Sequence, residues 1–370
     1  MPVRAPLRIP GSPLSIAEGR VFVVAEIGKN FIQTEETRPV GEYLSNAFRL
    51  VDEAAAAGAD AVKFQTHELE DEQLDIPVTS PHFTGSDRYR WVKRNTEATP
   101  AGFWRELHAH CAARGILFFT TPMSRGAARR VASLDLPLWK VGSADVQDHL
   151  LVNALLAISR PLIISTGMVG HAELAAEIRR IRARTSQLVV LYCVSKYPCP
   201  PEQFNLATIE RLREENPDIH IGFSDHSLGP EASFAAAGLG ATVIEKHFSL
   251  SRDLWGSDHK VSMTPAELRE LVKGLRERRR VDPKPYYGSR DRELEGATNS
   301  FRPIFNKALM AGRDLPRGTV LAEEDVFAMR PLRGAGGVPA QRLEEVIGRS
   351  TSRNLRKYEP LNPDTVEGLK

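Results

Sequence analysis

Short apolar runs alternate with stretches of helical period along most of this chain, and the alternation predicts its architecture. Residues 21–25 (VFVVA) form a β-branched run that stops at Glu26-Ile27-Gly28, a strand and then a turn. Residues 42–57 repeat apolar positions at helical spacing and stop at Gly58. Residues 61–64 (AVKF) predict a second strand, leading to Gln65 and Thr66. Residues 67–99 show no strong period and read as a long excursion, and a helix is expected over 100–114 with Gly115 as its stop. Further strands are predicted at 116–119, 138–141, 161–164, 188–193, 219–223 and 242–244. Helices are predicted at 125–134, 150–158, 172–184 and 206–215, with a small-residue helix between the last two strands. Residues 264–280 close the series, with Thr264 as N-cap, Pro265 at the first helical position and Glu267 as capping-box partner. About eight strands, each followed by a helix, predict an α/β protein built as a (β/α)8 TIM barrel. An open doubly wound sheet is the runner-up, and the strand count argues against it.

The pattern changes after Arg280. Residues 276–280 (RERRR) read as a solvated helix end, and 282–302 are rich in Pro, Gly and charge. The expected organisation is therefore a barrel over 1–281, a linker over 282–302 and a small module over 303–370. The module offers short β-like pieces around a turn at 314–318 and a short helix over 341–347 stopped by Gly348. It is too small to bury much core alone and should lean on the barrel or on a partner subunit.

Composition excludes several classes. A net charge of +2 on 370 residues gives no electrostatic case for nucleic acid or a membrane surface as main partner. No apolar run approaches the roughly 18 residues of a membrane span, and the first residues carry Pro and Gly where a secretory leader needs an apolar run. Cys111, Cys193 and Cys199 are odd in number and lack CxxC spacing, so a reduced, cytoplasmic protein is expected, with Cys193 a buried thiol.

In such a barrel, chemistry gathers at the carboxyl ends of the strands. The polar residues there are Glu26, Lys63, Gln65, Thr121, Lys140, Ser143, Ser165, Ser195, Ser224, His226, Glu245 and His247. Hydroxyls with lysines suit an anionic group such as phosphate or carboxylate. A lysine inside a strand is costly unless it is paired or used. His226 and His247 end two successive strands and could meet as neutral imidazoles around a divalent metal, the bland alternative being helix-capping or core-edge histidines.

The chain resembles the sialic acid (N-acetylneuraminate) synthase family across nearly its whole length. The resemblance rests on AEIG (25–28), AGADAVKFQT (57–66), TTP (120–122), KVGS (140–143), STGM (165–168), SDHSLG (224–229), EKHF (245–248) and GSDHKVSM (256–263). Residues 308–331 look like the SAF (antifreeze-like) domain that follows the barrel in that family. The resemblance implies condensation of phosphoenolpyruvate with the open-chain aldehyde of an N-acylated hexosamine, giving a nine-carbon 2-keto-3-deoxy sugar acid and phosphate. It implies that His226 and His247 hold a divalent metal, usually manganese, with magnesium or cobalt as alternatives. It places Lys63, Thr121, Lys140, Ser143, Ser165, Ser195 and Ser224 around phosphoenolpyruvate, and Glu26 as a carboxylate beside the metal. It assigns Gln65, Asp145, Asp258 and Arg330 to the sugar, with Arg330 delivered from the other subunit of a domain-swapped homodimer.

The chain also departs from the family pattern. Asn30-Phe31 stands where Asn-His is frequent, and a charged insert follows (32–41). Asp145 replaces a glutamate, Ser195 an asparagine, Tyr192 a histidine and Ser257 a proline. These changes gather at the sugar end, so a legionaminate- or pseudaminate-like product, or a 6-phosphorylated sugar, is compatible with the resemblance. Two other readings are another enolpyruvate–aldose barrel, which generally lacks the SAF-like tail, and an inactive carbohydrate-binding barrel, which has no need of the lysines and the histidine pair.

Overall fold

The computed structural model describes residues 4–80, 83–291 and 296–370, except the side chains of 296–299. Its centre is a parallel eight-stranded sheet: β1 (Phe22–Gly28), β2 (Ala61–Thr66), β3 (Leu117–Pro122), β4 (Trp139–Val141), β5 (Leu162–Ser165), β6 (Leu188–Cys193), β7 (His220–Asp225) and β8 (Val243–His247). Each strand hydrogen-bonds to its sequence neighbour except β3 and β4, and β8 pairs with β1. The end strands β3 and β4 lie against each other, so the sheet curls into a TIM-like barrel.

Period-two alternation sorts the side chains of each strand. On β1, Val23, Ala25 and Ile27 face the helices, whereas Phe22 and Val24 join the inner core and Glu26 follows them toward the mouth. The same parity gives Ala61 then Lys63 and Gln65, Phe119 then Thr121, Leu138 then Lys140, Ile163 then Ser165, and Val243 then Glu245 and His247. The inner face is thus apolar at the amino end and polar at the carboxyl end. A Cβ on Gly222 of β7 would stand 2.6 Å from the Val243 carbonyl, so only glycine lets β7 approach β8 there. An antiparallel hairpin, Leu7–Arg8 with Ser15–Ile16, adds Leu7, Ile9 and Ile16 to the inner core and plugs its amino end.

Helices α1 (Val40–Ala56), α2 (Arg88–Ala98), α3 (Ala101–Ala113), α4 (Arg125–Arg130), α5 (His149–Ala157), α6 (His171–Arg182), α7 (Ala207–Glu215), α8 (Glu231–Gly238) and α9 (Pro265–Arg276) accompany the strands. The Thr264–Glu267 capping box opens α9 as expected. The excursion after β2 is more ordered than its pattern suggested. It holds a hairpin, Thr79–Ser80 with Phe83–Asp87, and then α2, capped by Asp87. Helix α2 buries Trp91, Val92, Asn95 and Ala98 on an otherwise charged surface, too sparse a stripe to register as a period. Strand β1 also continues through Glu26 to Gly28, where a turn was expected, because Glu26 pairs in register with Lys63.

The stretch expected as a linker holds two short helices, Lys284–Tyr287 and α10 (Gly296–Phe305). Beyond it Ala308–Ala311 pairs antiparallel with Val326–Met329. The small module leans on the barrel of the same chain: Leu150 of α5 packs in one cluster with Leu309, Leu315, Leu321 and Leu361.

Candidate active site

The mouth of the barrel opens into a cavity of about 160 Å³ lined by all fifteen polar residues singled out for it from the sequence. Strand parity explains nine of them, and the loops after the strands supply Ser143, Asp145, Ser195, His226 and Asp258. Arg330 arrives from the small module.

At the floor, the Lys63 ammonium lies 2.5 Å from Glu26 Oε2, 3.0 Å from Thr121 Oγ1 and 3.7 Å from Glu245 Oε1. Burial disfavours its charge, but the two carboxylates outweigh burial and lift its pKa. Gln65 Nε2 donates to Glu26 Oε1 at 2.9 Å. Burial pushes the Glu26 carboxyl above its ordinary value despite Lys63. Lys140 donates to Ser165 Oγ at 2.7 Å and to the Val141 carbonyl at 3.1 Å, and no carboxylate stands within ion-pair distance of it among the described residues. Ser224 Oγ donates to Glu245 Oε1 at 3.2 Å, and Ser143 Oγ accepts the Gly167 amide at 2.9 Å. A buried ammonium faced by hydroxyls rather than by a counter-ion is a ready place for an anion.

The imidazoles of His226 and His247 lie with centroids 5.4 Å apart, and the Tyr197 ring lies tilted with its centroid 4.1 Å from the former. His226 Nδ1 lies 2.8 Å from the Val194 carbonyl, which leaves Nε2 as its remaining nitrogen. His247 Nδ1 is buried with no hydrogen-bond partner, and burial drives the ring's pKa down to about 3, so it is a neutral imidazole. An orphaned buried nitrogen beside a second oriented imidazole fits a divalent cation that takes its other ligands from substrate and water. Among the described residues no group of three or more His, Cys, Asp or Glu is placed to hold a metal.

The upper wall is a clasp between barrel and module. Arg330 Nη2 lies 2.5 Å from Asp145 Oδ1 and Nη1 3.7 Å from Glu72 Oε1, while Lys307 bridges Asp145 at 3.0 Å and Asp148 at 2.7 Å. Burial opposes the Glu72 charge, but His67 and Arg330 pull its carboxyl down to about 2. The resemblance would bring Arg330 from a partner subunit, whereas here the chain's own module delivers it to the chain's own cavity. Backbone pairing fixes the position: the Arg330 amide donates to the Glu72 carbonyl, and the Leu74 amide to the Arg330 carbonyl.

Two of the departures lie away from the cavity. Tyr192 sits on the helix-facing side of β6 and donates its hydroxyl to the Phe204 carbonyl. Phe31 packs into an aromatic cluster with Tyr43, Phe64 and Phe103, while Asn30 binds the Phe248 carbonyl and Ser262. Asp145 and Ser195 do line the cavity, and so do Lys29, His67, Arg88, Cys193 and Tyr197, which the sequence did not single out for the site. Strand parity could have found Cys193 at the end of β6. Nothing in the pattern marked Arg88, in a stretch without a period.

Residues 50–283 match the NeuB family and residues 306–367 the SAF domain. The chain belongs to the NeuB family. It is 32% identical to the spore coat polysaccharide biosynthesis protein SpsE of Bacillus subtilis, over 84% of each chain. The crystal structure of that protein superposes with a TM-score of 0.79 at 28% identity, covering 98% of this chain and 99% of the other. The human N-acetylneuraminate-9-phosphate synthase is 30% identical over 94% of this chain and 92% of its own length. The N,N'-diacetyllegionaminic acid synthase of Campylobacter jejuni is 27% identical over 92% and 98%.

Proposed function

We propose that this NeuB-family member is a C–C bond-forming transferase that condenses phosphoenolpyruvate with the aldehyde of an N-acyl hexosamine. The product is a nine-carbon 2-keto-3-deoxy sugar acid of the sialic, legionaminic or pseudaminic type, and phosphate is released. The observation that carries this reading is the cavity floor, where Lys63, Lys140 and the hydroxyls of Thr121, Ser143, Ser165, Ser195 and Ser224 converge beside two imidazoles. Relatives of nearly full coverage that are named as synthases support the same class.

In this mechanism Lys63, Lys140 and the hydroxyls hold the phosphate and carboxylate of the enol and turn its C3 toward the sugar. The new bond joins C3 to the aldehyde carbon, whose oxygen takes a proton. Water adds at C2, and the C2–O bond breaks with phosphate as leaving group. Glu26, oriented by Gln65, is the carboxylate placed to handle the proton or direct that water. His226 and His247 would hold a divalent cation, manganese by the family resemblance, which when bound polarises the aldehyde. Asp145, Asp258, Gln65 and Arg330 face the sugar.

We further propose a homodimer in which the small modules exchange, as the family resemblance implies. An exchanged module would make the same Arg330–Asp145 contact with the partner barrel, and light scattering of the purified chain tests the dimer. Phosphoenolpyruvate as co-substrate suits a cytoplasmic protein, and no helix of the described residues is long and apolar enough to cross a membrane.

The deciding experiment is phosphate release from phosphoenolpyruvate with Mn²⁺ across a panel of N-acyl aldoses, with mass detection of the keto acid. Release that needs both sugar and metal supports the synthase. Metal-bound protein that releases none with any sugar would return the balance to an inactive binding barrel.

A further inference from the structure

Among the described residues, three lysine or arginine side chains that line the cavity have no close carboxylate. Lys63 and Arg330 are paired as described. Lys140 belongs to the enolpyruvate floor. The other two, Lys29 and Arg88, stand on the upper wall. Lys29 is 9% exposed, and its only ionic contact among the described residues is Asp258 Oδ2 at 3.9 Å, the outer limit of an ion pair. Arg88 has no carboxylate within ion-pair distance among the described residues. It lies over the Phe305 ring at 4.9 Å, and its Nε is buried without a partner. Burial lowers the pKa of both groups, and Arg330 adds repulsion at Arg88. The same two side chains border a smaller neighbouring cavity with Ser80, Ser86 and Ser257, the last being one of the departures from the family pattern.

Two cations without a close carboxylate facing one cavity are costly for folding alone. Lysine as a compact charge and arginine as a planar fork together suit a phosphate ester. We propose that Lys29 and Arg88 form a second anion subsite, which holds a phosphate monoester at the end of the aldose remote from its aldehyde. The inference rests on the synthase reading and narrows it to phosphorylated amino sugars. Enolpyruvate does not satisfy this pair, because its own anionic groups are met by Lys63, Lys140 and the hydroxyls of the floor.

The test compares N-acylhexosamines with their 6-phosphates, using the metal-loaded enzyme and its Lys29→Met, Lys29→Arg and Arg88→Met variants. The expected result is preference for the phosphorylated sugar, with sugar KM rising about 10- to 100-fold in Lys29→Met and Arg88→Met. The phosphoenolpyruvate KM should hold, and Lys29→Arg should recover most of the loss. Equal use of both sugars by the wild type, or parallel loss of enolpyruvate binding in the variants, overturns the subsite while leaving the synthase intact. Calorimetric titration of the same sugar pair, without enolpyruvate, reads the subsite independently of turnover. Tighter binding of the 6-phosphate that Lys29→Met abolishes supports the subsite even if no condensation occurs. Equal binding of the two sugars refutes it. Because Lys29→Met removes a buried charge without a close partner, its melting temperature should not fall, so a loss of binding cannot be assigned to unfolding.

Discussion

Replacing Asp145 by Asn would test whether the small module is held to the barrel by the clasp at the cavity wall. The carboxylate is 1% exposed and serves Arg330 at 2.5 Å and Lys307 at 3.0 Å through one oxygen. Removing one partner of a buried ion pair costs about 3–5 kcal/mol, because the other charge is left buried. Here the loss is softened: Lys307 keeps Asp148 at 2.7 Å, Arg330 keeps Glu72 at 3.7 Å, and the amide oxygen can still accept a hydrogen bond. We therefore expect about 2–3 kcal/mol. With an unfolding entropy of about 2.1 cal/mol/K per residue, a chain of this length should melt about 3–4 °C lower. Calorimetry reads this directly, and sugar KM should rise while the phosphoenolpyruvate KM stays within about twofold. A shift below about 1 °C with unchanged sugar KM would refute the reasoning, showing that the backbone pairing at Arg330 positions the module without help from its charges.

Three further outcomes follow from single contacts. His149 joins the barrel to the module between Glu177 and Glu344, each at 2.9 Å, with Arg180 opposing. Burial disfavours its charge, but the two carboxylates raise its pKa. Its stabilisation is thus fully present below the unfolded value of about 6.5 and lost as pH rises through the higher folded value. The melting temperature of His149→Gln should accordingly fall less than that of the wild type between about pH 6 and 8, and parallel curves would reject the assignment. Gly167→Ala would place a Cβ 2.3 Å from Ser195 Oγ and 2.9 Å from Ser143 Oγ. It should cost about 1–3 kcal/mol in a melting curve and raise the phosphoenolpyruvate KM, whereas an unchanged KM would separate those serines from the enol. His247→Ala should lose bound Mn²⁺ by elemental analysis and lose turnover, yet melt within about 2 °C of the wild type, because Nδ1 gives up no hydrogen bond. Full metal content in that variant would remove the histidine from the metal site.

What could be read from the chain and what could not divides along a physical line. A strand that lines a barrel writes its inner face into every second residue, so Lys63, Lys140, Ser165 and Glu245 were visible as polar residues at the ends of apolar runs. The eight-strand count followed from the same runs. Helix α2 was hidden because it buries only Trp91, Val92, Asn95 and Ala98 on a charged surface, and its cap Asp87 looks like any loop residue. The hairpin before β1 was hidden because two residues a side make no period.

The upper wall shows the same division from the chemical side. Lys29 follows a glycine turn, Arg88 opens α2 and Arg330 lies beyond the barrel, so no local pattern joins them. They meet only when the excursion after β2 folds back and pairs with the module through Gln73 and Arg330. The motifs therefore spoke about the end where the bond forms, which is built on rigid strands. The end proposed to choose the sugar is assembled from loops and from a second module, each free to change without disturbing the barrel. Asp145 shows the consequence. Its replacement of a glutamate looked like a change of sugar contact, but the structure shows its carboxylate engaged by Arg330 and Lys307. A side chain one methylene longer would carry that carboxylate deeper into the cavity, so under the proposed function the substitution would act on sugar choice through the position of Arg330 as much as by its own reach.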